Sequence, residues 1–107
     1  MTLRRNLELM LERGQDSPLL RYSLGQECLK AGELVTAIDH LRQALDQNPR
    51  YSAAWKALGE AHARAGSTER AAQVYERGIA AAREAGDIQA AKEMEVFLKR
   101  LRKARGA

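Results

Sequence analysis

Apolar residues recur at intervals of three and four along the whole chain, which is the spacing of one face of an α-helix. Short stretches with glycine, proline, serine or aspartate interrupt this pattern, and such residues are typical of helix ends. The pattern predicts six helices, near residues 3–13, 18–31, 33–47, 52–65, 68–85 and 88–104. Short connections place successive helices side by side and antiparallel. We therefore expect an all-α fold of stacked helical hairpins.

The predicted helix starts carry polar residues that can cap a helix: Ser17 before Pro18, Ser52, Thr68 and Asp87. The first and last helices have apolar faces that should pack on their neighbours. In the first helix this face is formed by Leu3, Leu7, Met10 and Leu11. In the last helix it is formed by Ile88, Ala91, Met94, Phe97, Leu98 and Leu101.

The middle of the chain repeats itself after 34 residues. The identical pairs include Leu24 with Leu58, Gly25 with Gly59, and Ala37 with Ala71. We expect each glycine to permit close approach of the two helices of a hairpin, with the paired alanine facing it. Bulky residues should fill the gap between hairpins. The predicted packing residues are Leu24, Gly25, Ala37, Leu41, Trp55, Leu58, Gly59, Ala71 and Tyr75.

The order of residue types in these units resembles the tetratricopeptide repeat (TPR) family, whose hairpins repeat every 34 residues. The better copy is formed by Trp55, Leu58, Gly59, His62, Ala71 and Tyr75. The other copy is formed by Leu24, Gly25, Cys28, Ala37, Leu41, Ala44 and Pro49. The resemblance covers about residues 18–85. It implies a short right-handed solenoid of about six helices that acts as a protein-interaction scaffold and not as an enzyme.

Departures from the family pattern indicate where the repeats end. Arg21 stands in place of a tryptophan, and Arg83 stands in place of the proline that would close the second unit. The fifth helix can therefore be longer than usual, and no full third repeat follows. The predicted organisation of the single domain (1–107) is an N-terminal capping helix (1–15), two repeats (18–51 and 52–85) and a C-terminal capping helix (87–105).

By the same resemblance, the first helix of each repeat lines a concave groove that binds an extended peptide or a partner helix. Basic side chains there would pair with acidic groups of the partner, and Tyr22 and Leu29 would supply apolar contact. The expected groove residues are Tyr22, Gln26, Leu29, Lys30, Lys56, Glu60 and Arg64. The identity of the protein or peptide partner does not follow from the sequence.

The net charge of +4 is concentrated at the C-terminus, in Lys99, Arg100, Arg102, Lys103 and Arg105. This tail offers an alternative function, the binding of nucleic acid or of another acidic surface. Nucleic acid is disfavoured because no aromatic residue lies within the cluster, and cations near a helix C-terminus also favour the helix dipole. Self-association into a homo-oligomer is a further alternative, since so short a stack has exposed ends.

Catalytic and metal chemistry find little support in the residue pattern. Neither His40 nor His62 has a cysteine or carboxylate cluster at ligand spacing, and no glycine-rich phosphate loop is present. We therefore expect no enzyme activity, no metal and no cofactor. The single cysteine, Cys28, suits a reducing compartment, and no segment is apolar enough to span a membrane. A cytoplasmic location is expected.

Overall fold

Six antiparallel helices follow one another in the computed structural model, which describes residues 2–106 apart from the side chain of Arg105. None of these described residues lies in a β-strand, so the fold is all-α as predicted. The helices are α1 (Leu3–Glu12), α2 (Pro18–Lys30), α3 (Leu34–Gln47), α4 (Ser52–Arg64), α5 (Thr68–Glu84) and α6 (Ile88–Gly106). The described chain measures 46 × 29 × 18 Å along its principal axes.

The same turn ends α1, α2, α4 and α5. A glycine with positive φ follows the last helical turn each time, at Gly14, Gly32, Gly66 and Gly86. After α2, for example, the amide of Glu33 donates to the carbonyl of Cys28 at 2.9 Å, and the amide of Gly32 donates to that of Leu29 at 3.0 Å. This is the Schellman arrangement, in which glycine adopts a left-handed conformation that other residues rarely accept.

Two of the four predicted helix caps are present. The Ser17 hydroxyl accepts from the Leu20 amide at 3.1 Å, and the Asp87 carboxylate accepts from the Ala90 amide at 3.1 Å. The predictions for Ser52 and Thr68 were wrong, because both are the first residues of their helices. A side chain caps a helix from the non-helical position before it. Those positions belong to Tyr51 and Ser67, which make no side-chain cap bond.

All nine predicted packing residues are buried, and Gly25 and Gly59 each lie against a large side chain. A Cβ atom placed on Gly25 would lie 2.7 Å from Leu41 Cγ, and one placed on Gly59 would lie 2.6 Å from Tyr75 Cζ. Gly25 and Gly59 therefore make room for these large side chains inside their own hairpins. Ala37 and Ala71 lie one helical turn before Leu41 and Tyr75 on the same helices.

Trp55 occupies the centre of the stack, where α4 meets α5 and α6. A Cβ atom added to Gly78 of α5 would lie 2.7 Å from the Cβ atom of Trp55. The same added atom would lie 2.7 Å from Sδ of Met94, which belongs to α6. The indole nitrogen of Trp55 donates to the Pro49 carbonyl at 2.7 Å, and the side chain is only 7% exposed. Arg77 covers the outer face of the ring, with its guanidinium carbon 5.1 Å from the ring centroid.

The terminal helices are less well buried than predicted. Leu3 is 57% exposed and Met10 is 40% exposed, and α1 has no buried residue. The reason is that α1 packs on α2 alone among the described helices. At the other end Ile88 is 52% exposed because it starts α6 next to the turn, while Ala90 and Ala91 face the core instead. As predicted, α5 is long, with 17 residues against 14 in α3.

Candidate functional site

One face of the stack is concave. Helices α2, α4 and α6 pack directly on one another in series, whereas α3 and α5 stay more than 8 Å apart between Cα atoms. Hairpins that meet along one set of helices and separate along the other must curve towards the first set. The exposed surfaces of α2, α4 and α6 therefore form the concave face, as expected for the predicted groove.

The groove residues predicted on α2 differ in exposure. Tyr22 is half-buried, with its ring centroid 5.2 Å from that of Tyr51, and its hydroxyl accepts from Gln26 Nε2 at 2.9 Å. Leu29 is only 3% exposed and belongs to the core, so it is not open to a partner and the expectation that it supplies groove contact needs correction. Lys30 is exposed and its ammonium group lies 2.9 Å from Glu27.

The groove residues predicted on α4 are already bonded to other parts of the chain. Lys56 Nζ lies 3.3 Å from a carboxylate oxygen of Glu93 on α6. Arg64 donates to the Leu29 carbonyl at 3.1 Å and lies 3.5 Å from Glu60, one turn earlier. These basic groups help to join the hairpins, so their charge is partly neutralised. Pairing with acidic partner groups, as inferred from the sequence, would have to compete with these contacts.

An apolar pocket of about 280 Å³ opens between α4 and α6. Charged residues stand at its edge, and aromatic and aliphatic side chains form the rest. Its lining is Glu60, Ala63, Tyr75, Phe97, Arg100, Leu101 and Ala104. The rings of Tyr75 and Phe97 lie 5.8 Å apart, and burial together with the charge of Glu60 raises the pKa of Tyr75 to about 12.

Sequence reasoning placed Phe97 and Leu101 in the packing face of the last helix and missed their part in the pocket. Both residues do contact the core, but each remains partly exposed. The sequence did contain a signal for this. The apolar stripe of the last helix continues to Leu101, beyond Leu98, which is the last buried residue of that helix. Part of this stripe was therefore free to line a groove.

The histidines and the cysteine do not form a catalytic arrangement. His40 Nδ1 lies 3.1 Å from a guanidinium nitrogen of Arg21, which also holds Asp16. Cys28 is a free thiol, 1% exposed, and burial raises its pKa, which keeps it protonated and unreactive. Among the residues described by the structure, no three histidine, cysteine or acidic side chains are grouped as metal ligands would be.

The basic tail is partly tied to the fold. Arg102 forms an ion pair with Glu76 of α5 at 2.6 Å, and Arg100 lines the apolar pocket. Lys99 and Lys103 are exposed on α6. The side chain of Arg105, the last member of the predicted cluster, lies outside the described part of the chain. No described helix is both long enough and apolar enough to cross a membrane.

Comparison with known proteins supports the resemblance seen in the sequence. A family model of the tetratricopeptide repeat matches residues 22–85. The chain belongs to the tetratricopeptide repeat family. A TPR repeat-containing protein of Pseudomonas aeruginosa, PA0015, is 48% identical to it over 99 residues, which are 92% of this chain and 94% of that protein.

Solved structures of similar proteins have the same fold. Protein BPP2914 of Bordetella parapertussis, in solution, superposes with a TM-score of 0.87 at 42% identity, over 97% of this chain and 90% of that one. The solution structure of a TPR domain protein of Salinibacter ruber gives a TM-score of 0.75 at 28% identity, over 80% and 87% of the two chains. The stack is thus a short right-handed TPR solenoid. TPR domains generally act as non-enzymatic mediators of protein–protein interaction.

Proposed function

We propose that this TPR protein binds a segment of a partner protein along its concave face and holds one apolar side chain in the pocket between α4 and α6. The observation that carries the proposal is the pocket itself, because it presents Phe97, Leu101 and Ala104 to solvent on the face that curves inwards. Apolar pockets that receive an anchoring side chain dominate the binding energy of many protein interfaces.

Polar residues around the pocket would orient the bound segment. Glu60 and Arg100 stand at its edge with opposite charges, and Gln26 and Tyr22 continue the face on α2. Lys56 contributes through its ion pair with Glu93, which holds α4 against α6 and so keeps the pocket in shape. In this proposal two repeats, residues 18–51 and 52–85, form the face, and the C-terminal capping helix completes it.

Introducing a charge into the pocket tests the proposal. Ala63→Glu places a carboxylate among the lining residues, and Ala80→Glu makes the same change at an exposed position of α5. Both variants and the wild-type protein would be used to capture proteins from the source organism, after circular dichroism has shown that each is folded. Partners should be lost with Ala63→Glu and kept with Ala80→Glu. Equal capture by the two variants would refute the pocket as the binding site.

The charge-reversed pair Lys56→Glu and Arg64→Glu distinguishes the pocket from the charged groove inferred from the sequence. A partner held mainly by these basic groups should be lost when both are reversed, although neither residue lines the apolar pocket. A partner held mainly by the pocket should be weakened less than by Ala63→Glu. Binding constants measured with the purified partner by calorimetry would give the comparison.

The basic tail and self-association remain predictions from the sequence. Deleting residues 99–107 and titrating with DNA or RNA at two salt concentrations tests the first, since phosphate contacts weaken steeply with salt. Light scattering over a range of concentrations tests the second. The cytoplasm remains the expected compartment, because Cys28 is a free, buried thiol.

A further inference from the structure

A second and larger pocket, of about 650 Å³, lies on the convex side of the stack, where α3 and α5 diverge over α4. Its apolar lining includes Leu45, Leu58 and Val74, together with one edge of Trp55. Three arginines from the two flanking helices also line it, with a single acidic residue. They are Arg42, Arg70 and Arg77, and the acidic residue is Asp46. The pocket therefore combines an apolar base with a positive border.

The charge of this border is largely uncompensated. Arg42 and Arg70 form no ion pair with any described residue, and Arg77 lies over the Trp55 ring. His62 also lines the pocket and is only 8% exposed. Burial lowers the pKa of His62, and the charges of Arg70 and Arg42 lower it further. A neutral histidine and free guanidinium groups are thus available to an anion.

We propose that this convex pocket binds an extended acidic segment of a partner protein, with an apolar side chain over Leu58 and carboxylates at Arg70 and Arg77. The two arginines are seven residues apart on α5, which corresponds to about 10 Å along the helix axis. In an extended peptide of the polyproline II type, which has three residues per turn, residues three positions apart lie on the same face and about 9 Å from each other. Carboxylates at such positions meet both guanidinium groups, and Arg42 faces the segment from α3.

The pocket is a property of this place in the stack and not of every repeat. The residues 34 positions before Arg70 and Arg77 are Thr36 and Gln43, which carry no charge, and Arg21 occupies the position that corresponds to Trp55. The first interface between hairpins therefore lacks both the basic pair on its second helix and the aromatic base. The site is independent of the concave pocket, whose lining shares no residue with it.

The experiment uses a capped six-residue peptide with glutamates at its second and fifth positions and a leucine between them. Addition of the peptide to the full-length, isotope-labelled protein at millimolar concentration is followed by NMR. Saturable shifts should cluster in residues 42–49, in residues 70–77 and at the Trp55 indole NH. Replacing the glutamates by glutamine, or the leucine by glycine, should weaken binding about tenfold or more, since both the charge and the anchor contribute.

Arg70→Glu should abolish the shifts, whereas Lys103→Glu, which changes the net charge equally in the tail, should leave them unchanged. Arg77→Gln serves as a second variant should Arg70→Glu fail to fold, and it should weaken binding about tenfold. The proposal is overturned if no saturable shift occurs, if the shifts map to Ala63 and Phe97, or if Lys103→Glu removes them. It is also overturned if inorganic phosphate at the same concentration reproduces them, because a simple anion would then suffice.

Discussion

Replacing Trp55 with alanine would remove the side chain on which three helices converge. The indole is 7% exposed, donates to the Pro49 carbonyl, and lies against α5 where Gly78 permits close approach. A tryptophan that buries about 150–250 Å² at about 25 cal/mol per Å² contributes about 4–6 kcal/mol. Denatured chains already bury part of this area, so the expected loss in the free energy of unfolding is about 3–5 kcal/mol.

Urea unfolding followed by circular dichroism at 222 nm measures this loss without relying on tryptophan fluorescence. Trp55→Phe is the matched control, since it keeps most of the apolar ring but loses the hydrogen bond, and it should cost only about 1–2 kcal/mol. A loss below about 1 kcal/mol for Trp55→Ala would refute the central packing role of this residue. The variant should remain folded in the absence of urea if the domain has the usual stability of about 5–15 kcal/mol.

Three further predictions follow from the packing and the titrating groups. Gly59→Ala should lower the free energy of unfolding by about 1–3 kcal/mol in the same assay, because the new methyl group meets the Tyr75 ring. The control Gly106→Ala, with no atom within 4 Å of its added Cβ, should lower it by less than about 0.5 kcal/mol. Equal losses in the two variants would contradict the close approach of Gly59 to Tyr75. Burial lowers the pKa of His40 and His62 below the ordinary 6.5, which favours their neutral forms in the folded state. Thermal stability should therefore fall as the pH drops below about 6.5, and fall less when both are replaced by glutamine; an unchanged slope in that variant would exclude them as the cause. Hydrogen bonds from Arg21 and Gln47 hold the pKa of Asp16 below its usual 3.8, so this carboxylate stabilises the fold above about pH 4 and ceases to do so as the pH falls through the lowered pKa. Asp16→Asn should melt at a lower temperature than the wild type at neutral pH, and the difference should vanish in strong acid.

The helices and their order could be predicted because the relevant signals are local. Spacing of apolar residues, the proline at position 49 and the glycines after the helices determine where each helix starts and ends. The 34-residue repeat also predicted which helices form a hairpin and how the hairpins stack, since residues 34 positions apart occupy equivalent places in successive hairpins. Predictions failed where one residue decided the outcome, as at Ser52 and Thr68, since caps depend on the position at which the backbone becomes helical.

The candidate sites were harder to predict because they depend on distances between helices. Leu29 has the type and position of a groove residue, but the neighbouring helices cover it. Lys56 and Arg64 are exposed enough to meet a partner, yet their contacts with Glu93 and the Leu29 carbonyl involve other hairpins. No spacing in the sequence reveals such pairs. The convex pocket was missed for the same reason, since its basic border comes from α3 and α5, whose Cα atoms stay more than 8 Å apart.

The exposed apolar face of α1 has a consequence for how the protein opens. This helix is joined to the rest of the fold by few apolar contacts and by the ion pair between Arg4 and Glu33, and it has no buried residue. Helices with so little buried area detach at a small fraction of the global unfolding free energy. Amide hydrogens of α1 should therefore exchange with solvent long before those of α4, which open only when the whole stack unfolds. The face of α2 that α1 covers is then transiently exposed to solvent. Unfolding of the stack therefore begins at its N-terminal end and not at its centre.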